Sequence, residues 1–226
     1  MALEKLRETE TRNILVIGDL HEPFCLDDYL DWCLEQYETF NCNQVIFIGD
    51  ILDNHAFSYH EPDPDGMSAG YELDLSIKKV QKWYDAFPEA DVCVGNHDRM
   101  ASRKSFTGGI PAAWIKTYNE VLGTPNWNWV ESVTYDEVLY EHGEGGQAQT
   151  KAKNNLMSSV CGHTHTEAYC KWFVGKRFKV FGMQVGCGVD ASSYAAAYAK
   201  NFKKQAIGCS VVLNNGTLPI NLLMPL

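Results

Sequence analysis

The segment Gly162-His163-Thr164-His165 places two imidazoles two residues apart. Other polar groups stand beside glycines in the same way: Gly18-Asp19-Leu20-His21, Gly49-Asp50, Gly95-Asn96-His97-Asp98 and Glu141-His142-Gly143. Such side chains offer mixed oxygen and nitrogen donors, suited to divalent manganese, iron or zinc. Two neighbouring cations repel each other, and a carboxylate that binds both offsets the repulsion. Asp50 is placed to be that carboxylate, and the histidine pair reads as one imidazole for each ion. Plainer readings exist. Asp19 and Asp50 could cap following helices, and His142 could be a surface-loop residue. Neither reading explains why the histidines occur as a set.

A site of this kind needs distant segments to converge. Each polar group follows a short apolar run. Residues 13–18, 44–49 and 91–95 predict buried strands. Leu26 to Phe40 has apolar residues at helical spacing, and a second helix is predicted from about Glu72 to a stop near Pro88. This alternation predicts an α/β layer fold, in which ligands bind beyond the carboxyl ends of the strands. Ile110 to Leu122 predicts a helix starting at Pro111, and another is expected around Thr150 to Met157. The rest of the second half is strand-rich. A hairpin over Trp129 to Glu141 turns near Asp136-Glu137. Two more flank Gly175-Lys176-Arg177 and Asn214-Asn215-Gly216. No repeat or low-complexity linker interrupts the chain, so residues 1–226 read as a single domain.

Composition narrows the function classes. The net charge of −10 argues against an extended nucleic-acid surface. It allows a small anionic substrate, because bound cations reverse the local field. The sequence contains no apolar run of about 18 residues, so no membrane span is expected. The opening MALEKLRETETRN is a charged lead-in with no apolar core of a signal peptide. Eight scattered cysteines without a C-x-x-C pair predict buried free thiols in a reducing cytoplasm.

As a set, Asp19-x-His21, Gly49-Asp50, Gly95-Asn96-His97-Asp98, His142 and Gly162-His163-x-His165 resemble the signature of the calcineurin-like metallophosphoesterases, block by block and in order. The resemblance implies a four-layer αββα sandwich with two central mixed β-sheets, the strand-rich second half forming the second sheet. It implies a first divalent ion on Asp19, His21, Asp50 and His165, and a second on Asp50, Asn96, His142 and His163. Manganese is the expected metal, with iron, zinc, nickel or cobalt as alternatives. His97 is implied as the catalytic imidazole, with Asp98 orienting it and favouring its charged form. Asn96, His97 and Arg99 would meet the substrate. The implied reaction is phosphoester hydrolysis by a hydroxide that bridges the ions.

Protein phosphatases of that superfamily read G-D-x-H-G and G-D-x-V-D-R-G, whereas this chain reads GDLHEPF and GDILDNHAF. The missing Arg, which grips a phosphate dianion there, favours a diester. Small nucleotide substrates such as cyclic nucleotides are expected. A DNA-end nuclease and a phosphomonoesterase are the alternatives. A non-catalytic scaffold is disfavoured because every ligand block and His97 are kept. AFPEADVCVGNHDR and GTPNWNWV also resemble phosphoesterases encoded by bacteriophages, which implies the host bacterial cytoplasm. His55 and His60 lie outside the blocks, as mouth-lining groups or ordinary loop polars. Gly143-Glu144-Gly145-Gly146 lacks the Lys-Ser/Thr ending of a P-loop. PNWNWVES reads as packing rather than as a base-stacking platform.

Overall fold

The computed structural model describes residues 11–59, 63, 65–190, 192–193 and 204–225. Strands β1 (Ile14–Ile17), β2 (Gln44–Phe47), β3 (Ala90–Cys93) and β4 (Trp127–Val130) lie parallel in that order. The second sheet has the order β5-β6-β7-β9-β8, with β5 (Ser132–Tyr135), β6 (Val138–Glu141), β7 (Ser158–Cys161), β8 (Tyr169–Val174) and β9 (Lys179–Gln184). Its β6, β7 and β9 are parallel and its edges antiparallel. Strands β10 (Gly208–Leu213) and β11 (Leu218–Leu223) return to the first sheet, where β10 pairs antiparallel with β1.

Strand alternation divides the core. Leu15, Ile17, Val45 and Phe47 cluster with Tyr29 and Cys33 of α1 (Tyr29–Thr39) and with Val80 and Trp83 of α2 (Ala69–Ala86). Their neighbours Ile14, Val16, Ile46 and Ile48 cluster with Val138, Tyr140, Val160, Phe181 and Met183 of the other sheet. A strand buried on both faces must be apolar throughout, which is why β1 is the unbroken run ILVI. Three short helices complete the set among the described residues: α3 (Met100–Thr107), α4 (Tyr118–Leu122) and α5 (Ala148–Asn155). Helix α5 lies so close to β9 that a Cβ on Gly182 would sit 2.5 Å from Gln149 Cα. The layers therefore run helix, sheet, sheet, helix. No helix among the described residues is long and apolar enough to cross a membrane.

Several expectations change. The strand-rich second half is shared between both sheets: β4, β10 and β11 join the first. The expected hairpin over Trp129 to Glu141 is formed by β5 and β6 alone. Its turn lies at Asp136 and Glu137, both with positive φ (50° and 62°), as a two-residue hairpin loop requires. The predicted helix over Ile110 to Leu122 is broken. A 3₁₀ turn at Ala112–Trp114 gives way to extended backbone at Ile115. Thr117 and Glu120 then form a capping box that starts α4 afresh. Helix α3 went unread, because it buries only Met100 and so lacks an apolar stripe. All eight cysteines are free thiols, and all but the half-buried Cys170 are buried.

Glu22 is buried in the first core layer. Its Oε1 accepts from Trp83 Nε1 at 3.0 Å, while Oε2 has no partner among the described residues. Burial pushes its carboxyl from 4.5 up to about 7, only partly opposed by the Trp83 hydrogen bond. The folded state thus favours the neutral acid. That contribution is complete below pH 4.5 and is lost as pH rises through about 7, amounting to roughly 3 kcal/mol at most. Glu22→Gln keeps the acceptor for Trp83 and removes the titration. Urea denaturation at pH 5 and pH 8 should show the variant gaining stability over the parent at pH 8 and little at pH 5. Parallel pH dependence in both proteins would reject the account.

Candidate metal centre

Five loops, three from the first sheet and two from the second, meet beyond the carboxyl ends of their strands. Asp19 and His21 follow β1, Asp50 follows β2, and Asn96 and His97 follow β3. His142 follows β6, and His163 and His165 follow β7. Sharp turns aim these side chains. His21, Asp50 and His163 adopt positive φ (51°, 50° and 70°), a region that costs a non-glycine residue on the order of 1–2 kcal/mol. Such strain persists where surrounding contacts enforce it, typically at functional sites. Two glycines make room for the carboxylates. A Cβ on Gly95 would lie 2.0 Å from Asp50 Oδ1, and one on Gly162 would lie 2.2 Å from Asp19 Oδ1.

Asp50 stands in the middle. Its Oδ1 accepts from the His97 backbone N at 2.8 Å. Its Oδ2 lies 3.2 Å from His142 Nε2 and 3.4 Å from His21 Nε2. On one side, His165 Nε2 is 3.0 Å from Asp19 Oδ2 and 3.2 Å from His21 Nε2. On the other, His142 Nε2 is 3.0 Å from Asn96 Oδ1 and 3.2 Å from His163 Nδ1. Asp19, His21, Asp50 and His165 make one group with metal-ligand spacing; Asp50, His142 and His163 make a second. The two groups share Asp50.

The donor chemistry fits cations. His21 Nδ1 faces Asp53 Oδ1 at 2.6 Å, and His142 Nδ1 faces the Ile48 carbonyl at 3.1 Å. Protons held on those outer nitrogens leave the Nε2 lone pairs pointing inward, as metal-bound histidines require. Nitrogen atoms 3.2 Å apart then need a positive charge between or beside them. Asp19 Oδ1 is buried with no hydrogen-bond partner among the described residues, which is an open ligand position.

The same crowding sets the proton affinities. Burial raises the Asp50 carboxyl, but the charges and hydrogen bonds of His142 and His21 outweigh it and hold the group well below the usual carboxylate range. Burial lowers His142, yet Asp50 lifts it to about 9. His163 is lowered by burial and by the charge on His142. Protons occupy the positions that cations would take, so metal and proton compete for these nitrogens.

His97 and Asp98 depart from the expected pairing. The Asp98 carboxylate accepts from Leu52 N at 3.1 Å and Gly95 N at 2.9 Å, so it braces two loops. Burial and the nearby Asp50 charge push it up to about 7. The His97 ring is anchored by Asp53 instead, through Nδ1 at 2.5 Å from the carbonyl and 3.7 Å from Oδ1. Burial and the His21 charge lower His97, opposite to the favoured charged form expected from the sequence. Asp53 is thus a site residue the motif reading left unassigned. Its place three residues after Asp50, in the same loop, was the available signal.

Arg99, expected to meet substrate, is ion-paired with Glu131 and with Glu144, the latter at 3.0 Å. His142 is buried rather than a surface-loop residue. Asp19 and Asp50 do not cap helices: the N-caps of α1 and α2 are Asp28 and Ser68. His55 is buried in a 3₁₀ turn, with its backbone N donating to Glu72 Oε1. His60 lies outside the described residues.

A family model described as calcineurin-like phosphoesterase matches residues 12–178. The chain belongs to the calcineurin-like phosphoesterase family. The match spans all five motif loops of the site. Comparison with curated proteins gives no match. Among solved structures, vacuolar protein sorting 29 from Cryptosporidium parvum is 14% identical, with 95% of this chain and 99% of that chain covered, at a TM-score of 0.44. The phosphoesterase Yfce from E. coli is 10% identical, covering 88% and 87%, at 0.41. The nuclease MPE from Pseudomonas putida is 15% identical, covering 92% and 87%, at 0.36.

Gly95→Ala tests how the phosphoesterase cluster is packed. The added methyl must displace Asp50, which both ligand groups share. The variant should lose binding of divalent cations in calorimetry while remaining folded by circular dichroism. Undiminished metal binding would show that Asp50 tolerates the displacement.

Proposed function

We propose that this chain is a phosphodiesterase with a dinuclear metal centre, acting on small nucleotide esters such as cyclic nucleotides, with residues 1–226 as one domain. The carrying observation is that two potential ligand groups share Asp50. Asp19, His21, Asp50 and His165 would hold one ion; Asp50, Asn96, His142 and His163 would hold the other. Mn2+ suits this mixed carboxylate, amide and imidazole set, and Fe, Zn, Ni or Co are alternatives. Bound, such ions supply charge stabilisation to the phosphoryl group and a nucleophilic water near neutral pH.

The chain's own residues orient and protonate. Asp53 anchors His97 through Nδ1, which leaves Nε2 to contact a phosphoryl oxygen or to hand a proton to the leaving alkoxide. The loop bearing His97 is fixed through its backbone N on Asp50 and its carbonyl on Asn54 Nδ2. A diester is favoured over a monoester because the flanking cations are already paired, Arg99 with Glu131 and Glu144 and Lys151 with Glu141. A diester brings one negative charge and a monoester dianion two, and neither Arg99 nor Lys151 is free for the second. The single-domain reading is supported by β10 and β11, which lie beyond the family-matched segment yet complete the sheet that contains β1. Eight free thiols fit a reducing compartment, the host bacterial cytoplasm if a phage encodes the chain.

With manganese added, bis-p-nitrophenyl phosphate should be hydrolysed well above p-nitrophenyl phosphate. Asp50→Asn should lose metal and nearly all turnover. His97→Ala should keep both ions while turnover falls about a hundredfold or more. A preference for the monoester would reject the diesterase reading. Occupied metal sites without turnover would favour a scaffold. A wider panel of cyclic nucleotides, dinucleotides and DNA ends would name the substrate.

A further inference from the structure

A cleft of about 810 Å³, a size typical of small-molecule sites, is walled in part by the loops that follow β2 and β3. Asn54 and Asp98, from the loops after β2 and β3, line one side. Phe57, Trp114, Tyr118 and Trp129 give the rest its aromatic character. The Tyr118 and Trp129 rings are stacked, with centroids 4.2 Å apart and planes 23° from parallel. Trp114, one of the lining residues, is 81% exposed and offers a large flat ring. In the stretch PNWNWVES, Trp127 and Trp129 both line this cleft; Trp127 is fully buried, and Trp129 is partly buried and packed against the first core cluster.

Two details join this cleft to a ligand. Trp129 Nε1 is buried and has no hydrogen-bond partner among the described residues, so an acceptor is missing. The cleft walls are also bonded to the loop that carries Asn96 and His97. Tyr118 Oη donates to the Asp98 carbonyl at 3.2 Å, and Asn54 Nδ2 donates to the His97 carbonyl at 2.9 Å. The cleft and the cluster therefore draw on the same two loops, those after β2 and β3. A planar ring with an edge acceptor suits such walls, with a flat face for Trp114 and an acceptor for the Trp129 N–H.

We infer that the cleft is a nucleobase pocket, holding the base of a nucleotide ester whose phosphate lies at the metal cluster. This rests on the phosphodiesterase reading above. Stacking explains the exposed Trp114, and a carbonyl or ring nitrogen of the base completes the Trp129 donor. The pocket selects for a base as a class, because every base presents a flat face and an edge acceptor.

The test compares two diesters with one leaving group: the p-nitrophenyl ester of thymidine 5′-phosphate and methyl p-nitrophenyl phosphate, which lacks a base. Trp114→Ala should lower kcat/KM for the thymidine ester about tenfold and leave the methyl ester within about twofold. Trp129→Phe keeps the ring, removes the N–H and should show a smaller loss with the same selectivity. Equal losses on both esters, or no loss on either, would overturn the pocket. A second measurement separates this inference from the activity on which it rests: titration of the purified protein with thymidine or adenosine, followed by tryptophan fluorescence. Saturable quenching that Trp114→Ala weakens, with neither ester hydrolysed by the parent, would keep the pocket and sink the diesterase. Hydrolysis of both esters without nucleoside binding would keep the diesterase and sink the pocket.

Discussion

One buried carboxylate organises this molecule. Asp50 lies against the bare Cα of Gly95, accepts the backbone N–H of His97 through one oxygen and meets His21 and His142 through the other. Those contacts come from loops on both sheets, so the side chain that ties the two ligand groups together also ties the layers at their shared end. A buried carboxylate without partners would be strongly unfavourable. Surrounded by imidazoles it stays ionised, and the site keeps a concentrated negative charge where cations would sit.

The rest of the site rigidifies that arrangement from behind. The Asp53 carboxylate and the Ile48 carbonyl hold the outer nitrogens of His21 and His142, fixing ring orientation. Asp98 reaches back to Leu52 N and Gly95 N, joining the loops that follow β2 and β3. Positive φ at His21, Asp50 and His163 is sustained by this network. The acidic balance of the chain, −10 overall, is compatible with anionic substrate only because cations would dominate the local field.

Much of this was legible in the sequence. Unbroken apolar runs located the parallel strands, and the polar residues after each run located the loops that converge. The five motif blocks named the side chains that the structure brings together, because their order and glycines are specific. What the text could not carry was side-chain direction. Asp98 and Asp53 are both acids near His97, and nothing in their spacing tells which one turns toward its ring. Arg99 is placed well for a phosphate, yet Glu131 and Glu144 take it first. The break at Ile115 was written in the Thr117–Glu120 cap, a local signal that outweighed apolar content over Ile110 to Leu122. Strand allegiance was the hardest to read, since β4 and β5 are adjacent in sequence but lie in different sheets.

The return of β10 to β1 matters for assembly. Ile14 registers with Val212, and the carbonyl of Asp19 accepts from Gly188 N at 2.9 Å. The strand that delivers the earliest ligands is therefore an open edge until residues near the far end of the chain arrive. Until β10 has been made, that edge has its hydrogen bonds unmet on one flank. Topologies closed by such distant pairings fold slowly, and the loop that follows β1 has its strand fully paired only once β10 is in place.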